Sequence, residues 1–185
     1  MKLIVGITGA SGVQYGVSLL ELLEATDVET HLVVSERGRQ VVDIEADRSV
    51  AAIHDLADET YSPRDTAATV ASGSADFDAM VVCPCSMKTL GLIANGIGEG
   101  LVPRAADVCL KEGRDLVLVP REAPLARTHL QNMLAADAAG ARILPAAPGF
   151  YTEPATLADL VEGFAAKVLD QVGVETPALR RWDGP

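Results

Sequence analysis

Residues 79–122 read AMVVCPCSMKTLGLIANGIGEGLVPRAADVCLKEGRDLVLVPRE, and this stretch decides the fold. It opens on a short apolar run, Met80-Val81-Val82, of the kind a parallel sheet buries on both faces. The run stops at Cys83-Pro84-Cys85-Ser86, and a helical pattern over Met87 to Asn95 follows. A second apolar strand, Leu116 to Val119, ends in the same manner at Pro120-Arg121-Glu122. Open α/β sheets place their ligands at such strand ends. The first end offers free amides and hydroxyls and the second a guanidinium, all groups suited to an anion. The stretch therefore reads as a binding site, and as a catalytic one.

The same alternation extends in both directions. Leu3 to Thr8 is a β-branched run followed by Gly9-Ala10-Ser11-Gly12, and Tyr15 to Ala25 carries apolar residues at helical spacing. Thr30 to Ser35 predicts a second strand and Glu36 to Ala46 a second helix. Between Asp47 and Ser74 the pattern weakens to a short helix around Ser49 to Ala57 and a polar loop. Gly96 to Pro103 reads as a loop, Arg104 to Glu112 as a helix, and Pro124 to Ala139 as a long helix stopped by Gly140. Ala141 to Leu144 is the last strand and Leu157 to Val172 the last helix. Strands separated by helices make βαβ units, so the expectation is one doubly wound α/β domain over residues 1–185, with a tail from about residue 174.

Composition narrows the function. The chain has a formal net charge of −11, which argues against nucleic acid or an anionic membrane as partner. The acids crowd between Asp43 and Asp78, whereas Arg104, Lys111, Arg114, Arg121 and Arg127 gather in one later region. No apolar run is long enough to span a bilayer, and the start of the chain lacks the features of a signal peptide. Three cysteines make no disulfide framework, so a cytoplasmic location is expected. Cys83 and Cys85 invite a metal or redox role, but the three histidines are scattered without ligand spacing. Packing of small residues is the simpler account, and no metal is expected.

Several residues have the chemistry for a site. Gly9-Ala10-Ser11-Gly12 lets the backbone approach a phosphate at a helix start, with a tight turn and no ligand as the alternative. Its spacing is not the dinucleotide G-x-G-x-x-G. Ser11, Ser35 and Ser86 put small hydroxyls at three strand ends; each alone is explained by helix capping, but together they suit a flat heteroaromatic ligand bearing a phosphate. Arg121-Glu122 beyond a buried strand must be satisfied by each other or by a ligand. Tyr151 adds a hydroxyl on a strand-following loop, Lys167 alone reads as solvated, and Trp182 is a tail aromatic that packs on something.

Taken in order, Gly9-Ala10-Ser11-Gly12, Cys83 to Leu90, Arg104 to Asp107, Leu110-Lys111-Glu112, Leu118 to Leu125, His129-Leu130, Asn132-Met133 and Pro148-Gly149-Phe150-Tyr151 resemble the UbiX-type flavin prenyltransferases. The resemblance runs from the first strand to Trp182. It implies a three-layer α/β fold, Rossmann-like or flavodoxin-like, with a mostly parallel sheet and helices on both faces, assembled as a homo-oligomer, a dodecamer. It implies an enzyme that joins the dimethylallyl group of dimethylallyl phosphate to N5 and C6 of reduced FMN. The product, prenylated FMN, would serve a UbiD-type decarboxylase.

By motif position, Gly9, Ala10, Ser11, Ser35, Ser86, Met87, Lys88, Thr89 and Arg121 would hold FMN. Tyr151 and Lys167 would hold the dimethylallyl phosphate, with Arg104 and Lys111 around its phosphate and Trp182 as a wall. Glu45, Glu122 and Ser11 would carry the catalytic work. Cations and a phenol stabilise a departing phosphate, and a carboxylate takes the proton that leaves the flavin. Lys167 departs from the Arg expected in many relatives and gives up the bidentate fork. The rivals are a flavin-dependent cysteine decarboxylase of the related superfamily, whose Pro-Ala-Ser-Ala-Asn-Thr type loop is here Cys83-Pro84-Cys85-Ser86-Met87-Lys88-Thr89, and a non-catalytic FMN carrier.

Overall fold

The computed structural model describes residues 1–182 and 184. Six strands form one sheet: β1 (Lys2–Ile7), β2 (Glu29–Val34), β3 (Glu59–Tyr61), β4 (Ala79–Cys85), β5 (Asp115–Pro120) and β6 (Arg142–Ile143). Their spatial order is β3-β2-β1-β4-β5-β6, and every pair is parallel. Among the described residues seven α-helices accompany them, six between strands and the last after β6: α1 (Val13–Leu23), α2 (Glu36–Glu45), α3 (Val50–His54), α4 (Met87–Ala94), α5 (Leu101–Lys111), α6 (Arg127–Ala138) and α7 (Leu157–Asp170). This is the doubly wound arrangement expected from the alternating pattern.

The central strands β1, β4 and β5 are apolar over almost their whole length because both sheet faces are covered there. Leu3, Val5 and Ile7 of β1, Val81 and Cys83 of β4, and Val117 and Val119 of β5 pack on one face, against Leu19 and Leu20 of α1 and Phe164 and Val168 of α7. The intervening residues Ile4, Met80, Val82, Leu116 and Leu118 face the other way, onto Leu90 and Ile93 of α4 and Ala105 and Cys109 of α5. The period-two alternation thus divides one apolar strand between two cores. Cys83 and Cys85 are part of this packing, and burial pushes both thiols up, Cys85 to about 12. As thiols in an apolar interior they are poor nucleophiles.

Apart from other small shifts at element ends, the structure differs from the sequence reading in three places. The helix expected from Arg104 begins at Leu101, within the expected loop, because Pro103 falls in the first turn, where no amide donor is needed. The helix expected from Pro124 begins only at Arg127. The weak region contains an edge strand, β3, whose three residues Glu59-Thr60-Tyr61 carry no apolar pattern.

The strand order reverses between β1 and β4: α1 after β1 and α4 after β4 lie on opposite faces of the sheet. A crevice opens where the two connections part, at the carboxyl ends of the strands. Buried Thr8 ties its two sides together, its hydroxyl donating to the Pro84 carbonyl at 2.9 Å and accepting from the Ser86 amide at 2.8 Å.

Candidate active site

The crevice is a cavity of about 560 Å³, within the range of small-molecule sites. Among its walls are Gly9 after β1, Ser35 and Arg37 at the start of α2, Ser86 to Thr89 at the start of α4, Gly100 to Pro103 at the start of α5, and Glu122 after β5. Three helices therefore turn their positive ends toward one space. The hydroxyls there have protons to give. Ser35 caps α2 by accepting the Gly38 amide at 3.0 Å, which leaves its own O–H free. Ser86 accepts the Thr89 amide at 3.3 Å and bonds the Thr89 hydroxyl at 3.1 Å, so one of that pair's two protons is spare. Capping and ligand binding, set against each other in the sequence reading, are compatible here.

Beside this cavity stands a second, linked group. Gly12 starts α1 with a positive φ of 92° and no side-chain cap. The missing acceptor comes from the end of α2, where Glu45 takes the Gly12 amide at 2.8 Å. Burial pushes the Glu45 carboxyl up, but the Ser11 hydroxyl, the Gly12 and Val13 amides and the Arg121 guanidinium outweigh it and hold Glu45 below the usual range. Arg121 reaches back from β5 to donate through Nε to the Ser11 carbonyl at 3.0 Å. Ala10, buried in the same loop, completes the turn. Arg121 and Glu122 do not pair with each other: among the described residues the Glu122 carboxylate accepts only the neighbouring Ala123 amide, and it lies open to the crevice.

Gly9 has a reason the sequence did not reveal. A Cβ there would lie 2.5 Å from the Cβ of Arg37, so glycine is required by the close approach of α2.

The residues expected around a donor phosphate are not all together. Tyr151 and Trp182 meet edge to face with ring centres 6.3 Å apart, in a small hollow of about 230 Å³ shared with Arg180 and Arg181. Lys167 belongs to this neighbourhood: Asp170 accepts from Lys167 at 2.9 Å and from Arg181 at 2.8 Å. This hollow shares no wall with the flavin-sized crevice. Arg104 starts beside the crevice but turns to Asp107 at 2.9 Å. Lys111, seven residues further along α5, pairs with Glu112 next to Gly73. That position, just before β5, is at the amino edge of a sheet whose strands all run the same way. Within one chain, then, Arg104 and Lys111 do not join Tyr151 and Lys167, because α5 carries Lys111 away from the ligand edge.

Thr8, Arg37 and Asp170 were missed as contributors. Thr8 closes the first apolar run and gives no sign of bridging to β4; the contact is legible only once β1 and β4 are known to be neighbours. A further hollow of about 440 Å³, between α1 and α7, is rimmed by Glu21, Asp47, Asp159 and Glu162 with Arg48 as its one cation, and does not suit a phosphorylated ligand. Among the described residues no group of three or more His, Cys, Asp or Glu side chains comes together to hold a metal.

A parallel sheet with an anion-attracting crevice at its switch point is an architecture suited to a flavin, and a model of the family described as Flavoprotein matches residues 1–169. A probable UbiX-like flavin prenyltransferase of Escherichia coli O157:H7 is 52% identical over 185 residues, covering 100% of this chain and 94% of the relative. The solved AnUbiX (PadA1), in complex with FMN and dimethylallyl pyrophosphate, is 42% identical with a TM-score of 0.97, covering 99% of this chain and 97% of that one. A dodecameric structure from Escherichia coli O157:H7, described as an FMN-dependent UbiX-like decarboxylase, is 52% identical with a TM-score of 0.96, each chain covered in full. The FMN-dependent cysteine decarboxylase TvaF, 17% identical with a TM-score of 0.66, shares the fold alone. The chain belongs to the flavoprotein family and, within it, to the UbiX-type flavin prenyltransferases.

Proposed function

We propose that this protein is a flavin prenyltransferase that joins a dimethylallyl group, from dimethylallyl phosphate, to N5 and C6 of reduced FMN. The carrying observation is the convergence of Gly9, Ser35, Ser86 to Thr89 and Glu122 on one crevice, in a chain that matches such enzymes from end to end. Bound FMN supplies the nucleophilic ring atoms and the residues supply position and charge. The spare protons of Ser35 and of the Ser86–Thr89 pair orient the flavin, with the three helix starts favouring its phosphate end. Glu122, exposed at the crevice and without a basic partner among the described residues, would take the proton released when N5 or C6 is alkylated. Glu45, held as a carboxylate, fixes the Ser11 turn and lies close to the Arg121 guanidinium.

The donor phosphate falls to Tyr151 and Lys167, with Trp182 beside them and with Arg104 and Lys111 as further cations. Since one chain does not assemble this set, the reading requires neighbouring copies, and a homo-oligomer such as a dodecamer provides them. The protein would work as one flavin-binding domain in the cytoplasm and pass prenylated FMN to a UbiD-type decarboxylase. No helix among the described residues is long and apolar enough to cross a membrane.

The test is anaerobic incubation with reduced FMN and dimethylallyl phosphate, followed by mass analysis of the flavin. A gain of one five-carbon unit is expected; unchanged flavin, with turnover of a cysteinyl peptide instead, would replace this reading by the decarboxylase one.

A further inference from the structure

The rim of the flavin crevice carries three cations, Arg37, Arg64 and Lys88, and three carboxylates, Glu36, Glu99 and Glu122. Two of the cations are neutralised: Arg64 by Glu36 at 2.9 Å and Lys88 by Glu99 at 3.5 Å. Arg37 forms no ion pair among the described residues; its Nη1 donates to the neutral side chain of Gln40 at 2.6 Å. It also sits in the first turn of α2, where the helix end is already positive and a cation is disfavoured. An anion at that point removes both conflicts. The stem of Arg37 is held in place, since its Cβ occupies the space that a side chain on Gly9 would need, 2.5 Å from the ideal Cβ position. The base of the side chain is therefore fixed against the Gly9 turn, and Arg37 shares the crevice wall with Gly9 and Ser35. Arg121 is not an alternative at this spot, because its Nε is committed to the Ser11 carbonyl and the residue is not among the crevice walls.

We infer that Arg37 grips the terminal phosphate of the flavin and sets the preference for FMN over riboflavin, an inference that rests on the flavin reading above. A guanidinium presents two parallel donors to a phosphate, which makes the contact selective as well as attractive. Gln40 holds the fork in waiting and is exchanged for phosphate oxygens on binding.

Calorimetric titration of wild type, Arg37→Gln and Arg37→Lys with oxidised FMN and with riboflavin tests this. Wild type is expected to prefer FMN. Arg37→Gln should lose about tenfold in FMN affinity, the scale of a charge-assisted contact, with riboflavin affinity unchanged. Arg37→Lys should fall between the two, and melting temperatures should match because Arg37 is exposed. Equal losses for both flavins, or undiminished FMN binding by Arg37→Gln, would overturn the assignment. If wild type bound neither flavin, the flavin reading itself would fail.

Discussion

Thr8 shows how much one hydroxyl can decide. It is almost fully buried and joins the ends of β1 and β4, the two strands between which the crevice opens. Thr8→Val keeps the shape, removes the bridge and leaves the Ser86 amide without an acceptor. Leaving a buried donor unsatisfied costs about 1–3 kcal/mol, so urea unfolding should show a loss of that size. FMN should also bind more weakly, because the Ser86 turn loses its side-chain tie to the end of β1; unchanged stability and affinity would mean that the two strand ends hold their positions without the Thr8 hydroxyl. Other residues were legible for reasons that survive in the structure. The three serines stand at helix starts and two line the crevice, while Arg121 was recognisable because a guanidinium directly after a buried strand needs a partner. Its partner, the carbonyl of Ser11, was not foreseeable, since a backbone acceptor has no sequence signature.

Among the elements, long apolar strands and helices with a clear stripe were readable, and short or edge ones were not. β4 and β5 announce themselves because every side chain on them is buried, apart from Asp115 at the start of β5. β3, three residues at the sheet edge and mostly exposed, carries no such signal. The contact between α2 and α1 is likewise invisible in sequence: Glu45 ends one helix and caps another 33 residues away. This cap has a pH dependence. The carboxyl of Glu45 is held below its value in the unfolded chain, so its contribution to stability is present above the ordinary carboxylate range and is lost as pH falls through the lower folded value. Glu45→Gln should therefore be less stable than wild type at pH 7. The gap should narrow as pH falls through the ordinary carboxylate range, about 4, and close only below the lower folded value, where both chains carry a neutral group. Thermal unfolding at the two pH values decides the matter; a gap independent of pH would show that the charge of Glu45 is not what holds the α1 start.

At the scale of the whole molecule, the flavin crevice and the Tyr151–Lys167–Trp182 neighbourhood lie on different parts of one chain. Assembly of copies would bring such separate groups together, and a structure to which this chain is 52% identical is dodecameric. Glu122→Gln damages the crevice and Tyr151→Phe the other neighbourhood, and each homogeneous variant should turn over poorly. Oligomers refolded from a mixture should regain part of the activity, because some sites then receive both intact halves. A mixture no more active than its components would place the whole site within a single chain.

The claim beneath all of this is that flavin binds at the β1/β4 switch point. Hydrogen exchange of the backbone amides, measured with and without FMN, reads that location directly. Protection is predicted in the segments around Gly9 to Gly12, Ser35 to Gly38 and Ser86 to Thr89, the three strand ends at and beside the crevice. Protection centred instead on Leu157 to Glu162 and Ala46 to Arg48, around the acidic hollow between α1 and α7, would contradict it.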